Sequence, residues 1–359
     1  MRAKIITLPG DGIGPEVLRE AVRVLEAVSK RFGHTFAIEE HLIGGAAIDA
    51  TGSALPDESL AACKGAEAVL LGAVGGAKWE SPAAAVRPED GLLAIRKGLE
   101  LFANLRPVRP HPALAFASPL REEKLLGVDF MVVRELTGGL YFGKPKERRR
   151  DGERQSAVDT LEYHDFEIER IVKLACELAG ERKNRVTSVD KANVLASSKL
   201  WREVATACAE KFPQIQLDHV LVDTAAMRLI TSPSQFDVIV TENTFGDILT
   251  DEAAVLVGSM GLLPSASLGA GKRGLYEPIH GSAPDIAGKS IANPLGAILS
   301  VAMLLRHSLD LLEEAALIER TVDETLAAGA LTADLARAGE RPLSTTEMTE
   351  AVLGRFDGR

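Results

Sequence analysis

The chain has 359 residues, of which 46% are hydrophobic and only 4% aromatic, and its formal net charge is -10. This length allows two domains or one large α/β unit, with a substantial core packed mainly by aliphatic side chains. The negative charge argues against general nucleic-acid binding, although it is compatible with a local basic site for a small anion.

The cysteines and the apolar segments predict a cytoplasmic protein without a membrane anchor. Three cysteines, Cys63, Cys176 and Cys208, lack metal-ligand spacing; two fall in helical patterns typical of small buried residues, a usage that suits a reducing cytosol. Residues 1–6 enter a strand pattern and show no signal peptide. The longest apolar helix, around residues 295–305, is too short to cross a bilayer.

Strand-like and helix-like patterns alternate along the chain, which predicts an α/β fold with a largely parallel sheet. A strand over residues 4–8 leads through a glycine- and proline-rich loop into a helix over residues 15–30, with Pro15 suitably placed in the first turn. Further strands are predicted at residues 36–40, 68–71, 129–135, 186–189, 216–222 and 237–240.

The turn Gly10-Asp11-Gly12-Ile13-Gly14 follows the first strand and resembles a dinucleotide-binding Rossmann turn, with acidic Glu39 and Glu40 at the end of the next strand. The spacing departs from that pattern, because Pro15 stands where the last glycine belongs. We therefore predict that this is not a Rossmann unit, although a nucleotide can still approach the loop.

Residues 144–154 carry six basic side chains around the turn Asp151-Gly152. The flanking residues 139–142 and 155–163 have extended patterns, which predicts an antiparallel arm over about residues 139–163. We interpret its charge as a solvated face rather than a nucleic-acid site. No repeat or linker divides the chain, so the domains are expected to interleave.

The segment Asn243–Asp251 places two carboxylates on one face of a predicted helix. Asp247 and Asp251 are four residues apart, and a helix advances about 400° over four residues. Two neighbouring carboxylates repel each other unless a divalent cation binds them. The alternative is a solvated helix N-terminus, where acidic residues are favoured in any case.

Several motifs together resemble the 3-isopropylmalate dehydrogenases, which belong to the β-decarboxylating dehydrogenases with isocitrate, homoisocitrate and tartrate dehydrogenases. The similar segments are Leu8–Glu16, Glu135–Gly143, Asn243–Gly261 and His280–Gly288, and the match extends at least to Asn293-Pro294. The resemblance implies a two-domain α/β fold, not a Rossmann fold, with a large mixed, mostly parallel central sheet flanked by helices.

The resemblance also implies how the chain divides into domains. Residues 1–101 with residues 258–359 would form a cofactor-binding domain. Residues 102–257 would form the substrate, metal and dimerisation domain, with the arm at the interface of a homodimer. Each active site would then use residues of both subunits.

The implied reaction is the NAD-dependent oxidative decarboxylation of 3-isopropylmalate to 4-methyl-2-oxopentanoate and CO₂ in leucine biosynthesis. Arg96, Arg106 and Arg134 match the arginines that bind the malate carboxylates, a task suited to a planar guanidinium. Singly, each of the three is an ordinary surface arginine.

The resemblance assigns the metal and the acid–base groups residue by residue. Asp247 and Asp251 would bind Mg²⁺ or Mn²⁺ together with Asp223 of the partner subunit, which would also contact substrate. Lys191, again from the partner, would take the hydroxyl proton, and a neighbouring metal and arginines favour its neutral form. Tyr141 would donate a proton to the carbon that loses CO₂. A surface lysine and a packed aromatic are the alternatives.

The cofactor segment matches the family at Asp285, whose carboxylate can accept a hydrogen bond from a free ribose 2′-hydroxyl and would repel a 2′-phosphate. This favours NAD over NADP. The resemblance implies further cofactor contacts at Glu89, His280, Gly281, Ser282, Ala283, Pro284, Ile286 and Asn293.

An apolar pocket would distinguish the substrate. Leu92 and Leu93 precede Arg96 by four and three residues on a predicted helix, and Val194 could complete a surface for an isopropyl group. The extra carboxylate of isocitrate would be buried there without a partner. An ordinary core stripe is the alternative explanation for the leucines.

Two positions depart from the family pattern, and two other functions stay open. Thr224 follows Asp223 where the family more often has asparagine, and Ser290 replaces a common glycine. Another 3-substituted malate or tartrate could be the substrate. A non-catalytic regulatory subunit is a less favoured reading, because it predicts broken metal or acid–base positions.

Overall fold

The structure is a computed structural model that describes residues 1–79, 81 and 84–356. In this part of the chain, twelve strands alternate with twelve α-helices and several short 3-10 turns. The strands are β1 (Arg2–Gly10), β2 (Thr35–Glu40), β3 (Ala68–Ala73), β4 (Ala103–Val108), β5 (Phe130–Glu135), β6 (Glu147–Asp151), β7 (Arg154–Val158), β8 (Arg185–Asp190), β9 (Gln216–Leu221), β10 (Val238–Thr241), β11 (Pro264–Leu268) and β12 (Gly274–Pro278).

The helices connect most consecutive strands, as an α/β chain requires. They are α1 (Gly14–Phe32), α2 (Gly44–Thr51), α3 (Asp57–Lys64), α4 (Pro88–Gly98), α5 (Glu122–Leu125), α6 (Asp165–Gly180), α7 (Ala196–Ala209), α8 (Val222–Thr231), α9 (Asn243–Ala254), α10 (Leu295–His307), α11 (Leu312–Ala327) and α12 (Thr345–Leu353). No helix within the described residues is long and apolar enough to cross a membrane.

The chain divides into two compact units, and the first comprises Met1–Leu101, His111–Pro119 and the residues from Val257 onward. Its strands lie in the order β2-β1-β3-β12-β11. All neighbours are parallel except β11 and β12. Ile6, Leu71 and Leu275 from the strands pack with Ile95 of α4 and with Leu99, directly after this helix, in one buried cluster. This packing fixes α4, the helix that carries Glu89 and Arg96.

The second unit comprises Phe102–Pro110 and Leu120–Leu256. Its strands lie in the order β4-β5-β10-β8-β9, parallel except for the β4/β5 pair. Separately, β6 and β7 form an antiparallel hairpin. Because β5, β8 and β10 run parallel, their carboxyl ends lie at the same edge of the sheet. Arg134 lies near the end of β5 at this edge, Lys191 follows β8, and α9 follows β10.

The α/β class and the mixed, mostly parallel sheet predicted from the sequence are confirmed. The segment His111–Pro119 groups with the first unit, whereas the sequence analysis placed it in the second domain. The residues 357–359 that end the predicted cofactor-binding domain lie outside the described residues. The functions assigned to the two domains remain predictions.

One local expectation was wrong. Residues 139–142 do not extend into the arm; instead, Gly139–Tyr141 is a 3-10 turn. The N–H groups of Phe142 and Gly143 both donate to the carbonyl of Gly139, at 3.2 and 2.9 Å. These local bonds satisfy backbone groups that an extended segment would have to pair with a neighbouring strand.

Candidate active site

Helix α9 begins at a capped position that fixes where its acidic side chains lie. The carboxylate of Glu242 accepts hydrogen bonds from the N–H groups of Thr244 and Phe245, at 3.0 and 2.8 Å. The N–H of Asn243 donates to the hydroxyl of Tyr163 at 2.9 Å. Burial raises the pKa of Glu242. These bonds satisfy the first amides of the helix and set the orientation of Asp247 one turn later.

Arg134, Tyr141 and Asp247 form one hydrogen-bonded cluster. Arg134 is buried near the end of β5, and its Nε and Nη2 donate to Oδ1 of Asn243 at 3.1 and 2.9 Å. Its Nη1 donates to Oδ1 of Asp247. The other oxygen of that carboxylate, Oδ2, accepts from the Tyr141 hydroxyl at 2.8 Å. The structure therefore brings together three residues that the sequence had assigned to substrate binding, metal binding and proton transfer.

Arg106 lies beside this cluster on β4 and points to the second acidic residue of α9. Its Nε donates to Oδ1 of Asn104 at 2.9 Å, and its Nη1 donates to the hydroxyl of Thr250 at 2.8 Å. A longer contact of 3.3 Å joins Nη1 to Oδ1 of Asp251. Since 72% of the Asp251 side chain remains exposed, its carboxylate is accessible to a ligand.

Tyr141 carries its proton at neutral pH. Partial burial, reinforced by the hydrogen bond to Asp247 and the charge of that carboxylate, raises the pKa of Tyr141 to about 12. A nearby anion and loss of water both disfavour the phenolate. The hydroxyl is therefore a protonated donor, the form that a general acid requires.

Lys191 stands in a turn held by its neighbour. Lys191 directly follows β8. The carboxylate of Asp190, the last residue of β8, accepts from the N–H of Ala192 and from Nε and Nη2 of Arg202, each at 2.8 Å. Lys191 Nζ lies 2.9 Å from Oδ1 of Asp223 in the first turn of α8. The hydrogen bond from Lys191 lowers the pKa of Asp223. Partly buried Lys191 and exposed Asp223 thus form an ion pair within one chain.

The acidic residues suit a divalent cation by their chemistry. Asp247 and Asp251 offer carboxylate oxygens on one helix face, and Asp223 offers a third exposed carboxylate on α8. In the described part of a single chain, no three acidic, histidine or cysteine side chains converge as a metal cluster. A hard cation held by Asp247 and Asp251 would therefore need further oxygen ligands from outside this chain or from a substrate.

In the first unit, Arg96 near the end of α4 pairs with Glu277 of β12. Its Nη2 lies 2.9 Å from Oε1 of Glu277, while its buried Nε has no hydrogen-bond partner among the described residues. Leu92 packs against the buried cluster of this unit, as the core-stripe alternative predicts. Leu93 is 42% exposed, and Val194, in the second unit, is 66% exposed. Two of the three predicted apolar contacts are therefore accessible.

The predicted cofactor segment follows β12 as a loop that presents polar groups. His280 Nδ1 donates to the carbonyl of Gly281 at 2.9 Å, which leaves Nε2 as an acceptor. That Nε2 is buried and has no partner in the described part of the chain. Burial lowers the pKa of His280, so the ring is neutral. An unpaired buried acceptor fits a ligand with an N–H donor, such as the amino group of adenine.

The other residues of the segment differ in exposure. Gly281, Pro284 and Asp285 are exposed, as is Glu89 on α4; Ala283 and Ile286 are partly buried, and Ser282 is buried. Asn293 accepts from the N–H of Leu295 at 3.0 Å and donates to Oδ2 of Asp334 at 3.1 Å.

Three residues around these groups were missed from the sequence. Asn243 binds Arg134, Glu277 pairs with Arg96, and Asp334 binds Asn293. Glu277 could have been found, because it lies only three residues before His280, where the recognised segment begins. Asp334 belongs to a distant loop without a motif, and only the fold brings it to Asn293.

Comparisons with known proteins show which family this chain resembles. A family model described as isocitrate/isopropylmalate dehydrogenase matches residues 4–352. A 3-isopropylmalate dehydrogenase from Anaeromyxobacter dehalogenans is 65% identical, covering 99% of this chain and 100% of that protein. One from Bacillus subtilis is 59% identical, covering 98% of this chain and 96% of that protein.

Solved structures show the same fold. An isocitrate dehydrogenase from Methylococcus capsulatus is 34% identical with a TM-score of 0.86, covering 98% of this chain and 99% of that one. A β-decarboxylating dehydrogenase from Thermococcus kodakarensis is 36% identical with a TM-score of 0.81, covering 99% and 96%. The chain therefore belongs to the isocitrate/isopropylmalate dehydrogenase family.

Proposed function

We propose that this protein catalyses the NAD-dependent oxidative decarboxylation of 3-isopropylmalate to 4-methyl-2-oxopentanoate and CO₂ in leucine biosynthesis. Relatives with 55–65% identity carry the name 3-isopropylmalate dehydrogenase. The observation that supports the chemistry best is the cluster of Arg134, Tyr141 and Asp247, with Arg106 and Asp251 beside it. It combines carboxylate-binding, metal-binding and proton-donating groups.

In this proposal, Arg96, Arg106 and Arg134 bind the two substrate carboxylates. Planar guanidinium groups pair bidentately with carboxylates and hold the substrate in one orientation. The unpartnered Nε of Arg96 supports this role, since a buried donor without a partner is costly unless a ligand completes it.

Asp247 and Asp251, with Asp223 of the partner subunit, would hold Mg²⁺ or Mn²⁺. When bound, the cation supplies a Lewis acid beside the substrate's hydroxyl and carboxylate oxygens. Asp223 would also contact the substrate. The exposure of Asp251 and the acidic pair on one face of α9 support this assignment.

Lys191 and Tyr141 would handle the two protons. Lys191 of the partner subunit would take the C2 hydroxyl proton, and NAD⁺, when bound, would supply the hydride acceptor that oxidation of this alcohol to a ketone requires. Loss of CO₂ then leaves an enolate, and Tyr141 donates a proton to its carbon. The hydroxyl of Tyr141, which donates to Asp247 at 2.8 Å, supports this role, because it places a proton donor beside a proposed metal ligand.

NAD would bind the loop after β12. Asp285 would accept a hydrogen bond from the ribose 2′-hydroxyl, and its charge would disfavour a 2′-phosphate. His280 and Asn293 would contact adenine, and Glu89 would lie on the nicotinamide side. Backbone and side-chain contacts from the rest of the loop, residues 281–284 and 286, would complete the site. The unpartnered Nε2 of His280 is the observation that favours a nucleobase there.

The isopropyl group would contact Leu92, Leu93 and Val194. Leu93 and Val194 are exposed apolar side chains, which are available to a ligand in a way that core residues are not. Leu92 would contribute from its partly buried position.

A homodimer would complete the active site. Met227 and Ile230 on α8, Ile248 on α9 and Val255 directly after α9 are exposed apolar side chains. Their repetition on two helices of the second unit supports a face that a second copy covers. In the dimer, Lys191 and Asp223 would serve the partner's site, and the hairpin β6/β7 would form an intersubunit arm.

Initial rates of NADH or NADPH formation test the proposal. They are measured with Mg²⁺ and 3-isopropylmalate, isocitrate, tartrate or malate, each with NAD⁺ and NADP⁺. We expect a clear preference for 3-isopropylmalate with NAD⁺. Preference for another acid would contradict the apolar pocket but not the mechanism, and preference for NADP⁺ would contradict the role of Asp285. Turnover of none would favour a non-catalytic subunit.

A further inference from the structure

The glycine-rich turn after β1 resembles a Rossmann turn, but it has a structural role within the first unit. Asp11, at the centre of this turn, is only 5% exposed. Its carboxylate accepts three backbone hydrogen bonds: Oδ2 from the N–H groups of Gly45 and Gly75, at 2.8 and 2.9 Å, and Oδ1 from the N–H of Ala46 at 2.8 Å. One buried carboxylate thus ties together three segments of the first unit.

The first of the tied segments is the start of α2. Gly45 and Ala46 belong to its first turn, so the carboxylate of Asp11 lies where the helix N-terminus favours negative charge. A Rossmann protein offers such amides to a dinucleotide phosphate. At the start of α2, the protein's own carboxylate occupies such amides.

The second tied segment is the loop after β3, which borders two implied cofactor contacts. The Asp11 N–H donates to the carbonyl of Ala73 at 2.7 Å, and the Asp11 carboxylate holds Gly75. A Cβ at Gly75 would lie 3.0 Å from Oε1 of Glu89 and 3.8 Å from Oγ of Ser282. The position of this loop therefore limits the space around both side chains.

The same turn also holds the loop after β12 directly. The N–H of Ile13 donates to the carbonyl of Ser282 at 2.8 Å. At Gly12, with φ of +58°, a Cβ would lie only 1.9 Å from that carbonyl oxygen. Only glycine permits this approach, so the two loops are in backbone contact.

We propose that Asp11 is a positioning residue for the cofactor: it fixes the loop after β3 and the loop after β12 in the arrangement that binds NAD⁺. This inference rests on the proposed NAD-dependent function. A site ordered before binding does not lose loop entropy when the ligand arrives. Removing the carboxylate is therefore expected to weaken NAD⁺ binding more than it affects the malate.

The test compares Asp11→Asn with a matched control, Asp237→Asn, in the full-length enzyme. Asp237 is equally buried and accepts from the N–H groups of Lys183 and Arg185 and from Nε of Arg182, in the second unit. The amide that replaces either carboxylate repels at least one of these donors. Both variants are expected to melt at a lower temperature.

Only Asp11→Asn is expected to change cofactor binding. Calorimetric titration with NAD⁺ should give a Kd about tenfold higher than that of the wild type, as expected for a hydrogen bond to a charged group. The KM for 3-isopropylmalate should stay within about twofold, and kcat at saturating NAD⁺ should recover. The Kd of Asp237→Asn should match the wild type.

Two results would overturn the inference alone: wild-type affinity for NAD⁺ in Asp11→Asn, or an equal loss in Asp237→Asn. If the wild type itself binds no NAD⁺, the proposed function and this inference fail together. Should Asp11→Asn not fold, residue-resolved amide exchange on the wild type decides. Slow exchange of the Gly45, Ala46 and Gly75 amides without NAD⁺ would support the claim that Asp11 holds these segments in place. Rapid exchange would refute it.

Discussion

The hydroxyl of Tyr141 donates to Asp247 and is the proton donor of the proposed reaction. We predict that Tyr141→Phe lowers kcat about 100-fold or more, since it removes a general acid. NADH from the first turnover should still form, because oxidation precedes protonation in the proposed sequence. Stopped-flow absorbance at 340 nm, with steady-state assays, measures both steps.

The control for this variant is Tyr276→Phe. The Tyr276 hydroxyl is buried and lies 2.7 Å from the hydroxyl of Ser308, in the first unit. Its removal also breaks a hydrogen bond, but kcat should be unchanged. If Tyr141→Phe turned over at the wild-type kcat, Tyr141 would have no role in the reaction.

His307 at the end of α10 makes the stability of the protein depend on pH. Burial, with a smaller effect from Arg306, lowers the pKa of His307 from 6.5 to about 4. Between these values the unfolded chain binds a proton that the folded chain does not. The stability associated with neutral His307 is therefore fully present above pH 6.5, and this part of the free energy of unfolding is lost as the pH falls towards 4.

We predict that His307→Gln flattens this pH dependence. Urea unfolding at intervals from pH 4 to pH 7 should show a free energy of unfolding that falls by about 2 kcal/mol less in the variant than in the wild type. Equal slopes for the two proteins would show that His307 is not responsible.

At the scale of whole elements, the sequence predicted strands with continuous or alternating apolar runs and missed three strands that contain proline or glycine. The segments around β1, β3, β5, β8 and β10 have continuous or alternating apolar runs. The missed strands β4, β11 and β12 contain Pro107, Pro264, Gly274 and Pro278, residues that normally weaken a strand prediction. Tertiary pairing overrides the local preference at these positions.

The candidate site, like the strands, could be predicted only in part from the sequence. Asp247 and Asp251 were predictable because helical spacing places them on one face. Their contacts with Arg134 and Arg106 join residues more than 100 positions apart. The motif around each residue indicated its chemistry, but only the sheet order brings β4, β5 and α9 together.

The cap of α9 stabilises the helix that carries the proposed metal-binding residues Asp247 and Asp251. We predict that Glu242→Gln costs about 1 kcal/mol of stability, because the amide can accept from only one of the two N–H groups that the carboxylate binds. It should also weaken Mn²⁺ binding, since Asp247 and Asp251 lie on the loosened helix. Urea unfolding and Mn²⁺ titration followed by electron paramagnetic resonance measure the two effects.

Ser344→Ala is the matched control for this cap. Ser344 begins α12 in the first unit and accepts from the N–H of Glu347 at 3.2 Å. Its loss should cost a similar amount of stability without changing Mn²⁺ affinity. If Glu242→Gln bound Mn²⁺ as tightly as the wild type, the cap would have a structural role alone.

At the scale of the whole molecule, the described part of one chain does not bring the three proposed metal-binding carboxylates into one cluster. Lys191 and Asp223 pair with each other, whereas Asp247 and Asp251 face a separate group that includes Arg134 and Arg106. The exposed apolar side chains of α8 and α9 provide a reason for two chains to associate. A dimer would then explain why one chain alone gives an incomplete constellation.

This arrangement predicts complementation between two inactive variants, Asp247→Asn and Lys191→Met. If each site combines Asp247 of one subunit with Lys191 of the other, a mixed dimer has one doubly altered site and one site with both native residues. Random re-pairing makes half of the dimers mixed, so about a quarter of the wild-type activity should return.

The measurement is the rate of NADH formation after the two purified variants are unfolded together and refolded, or after they are co-expressed. Each variant treated alone is the control and should stay inactive, because every site in its homodimer lacks one residue. If activity returns only in the mixture, one active site must contain residues from both chains. An inactive mixture in which mixed dimers are shown by mass would instead place Lys191 and Asp247 in the same subunit's site, and the shared-site proposal would be abandoned.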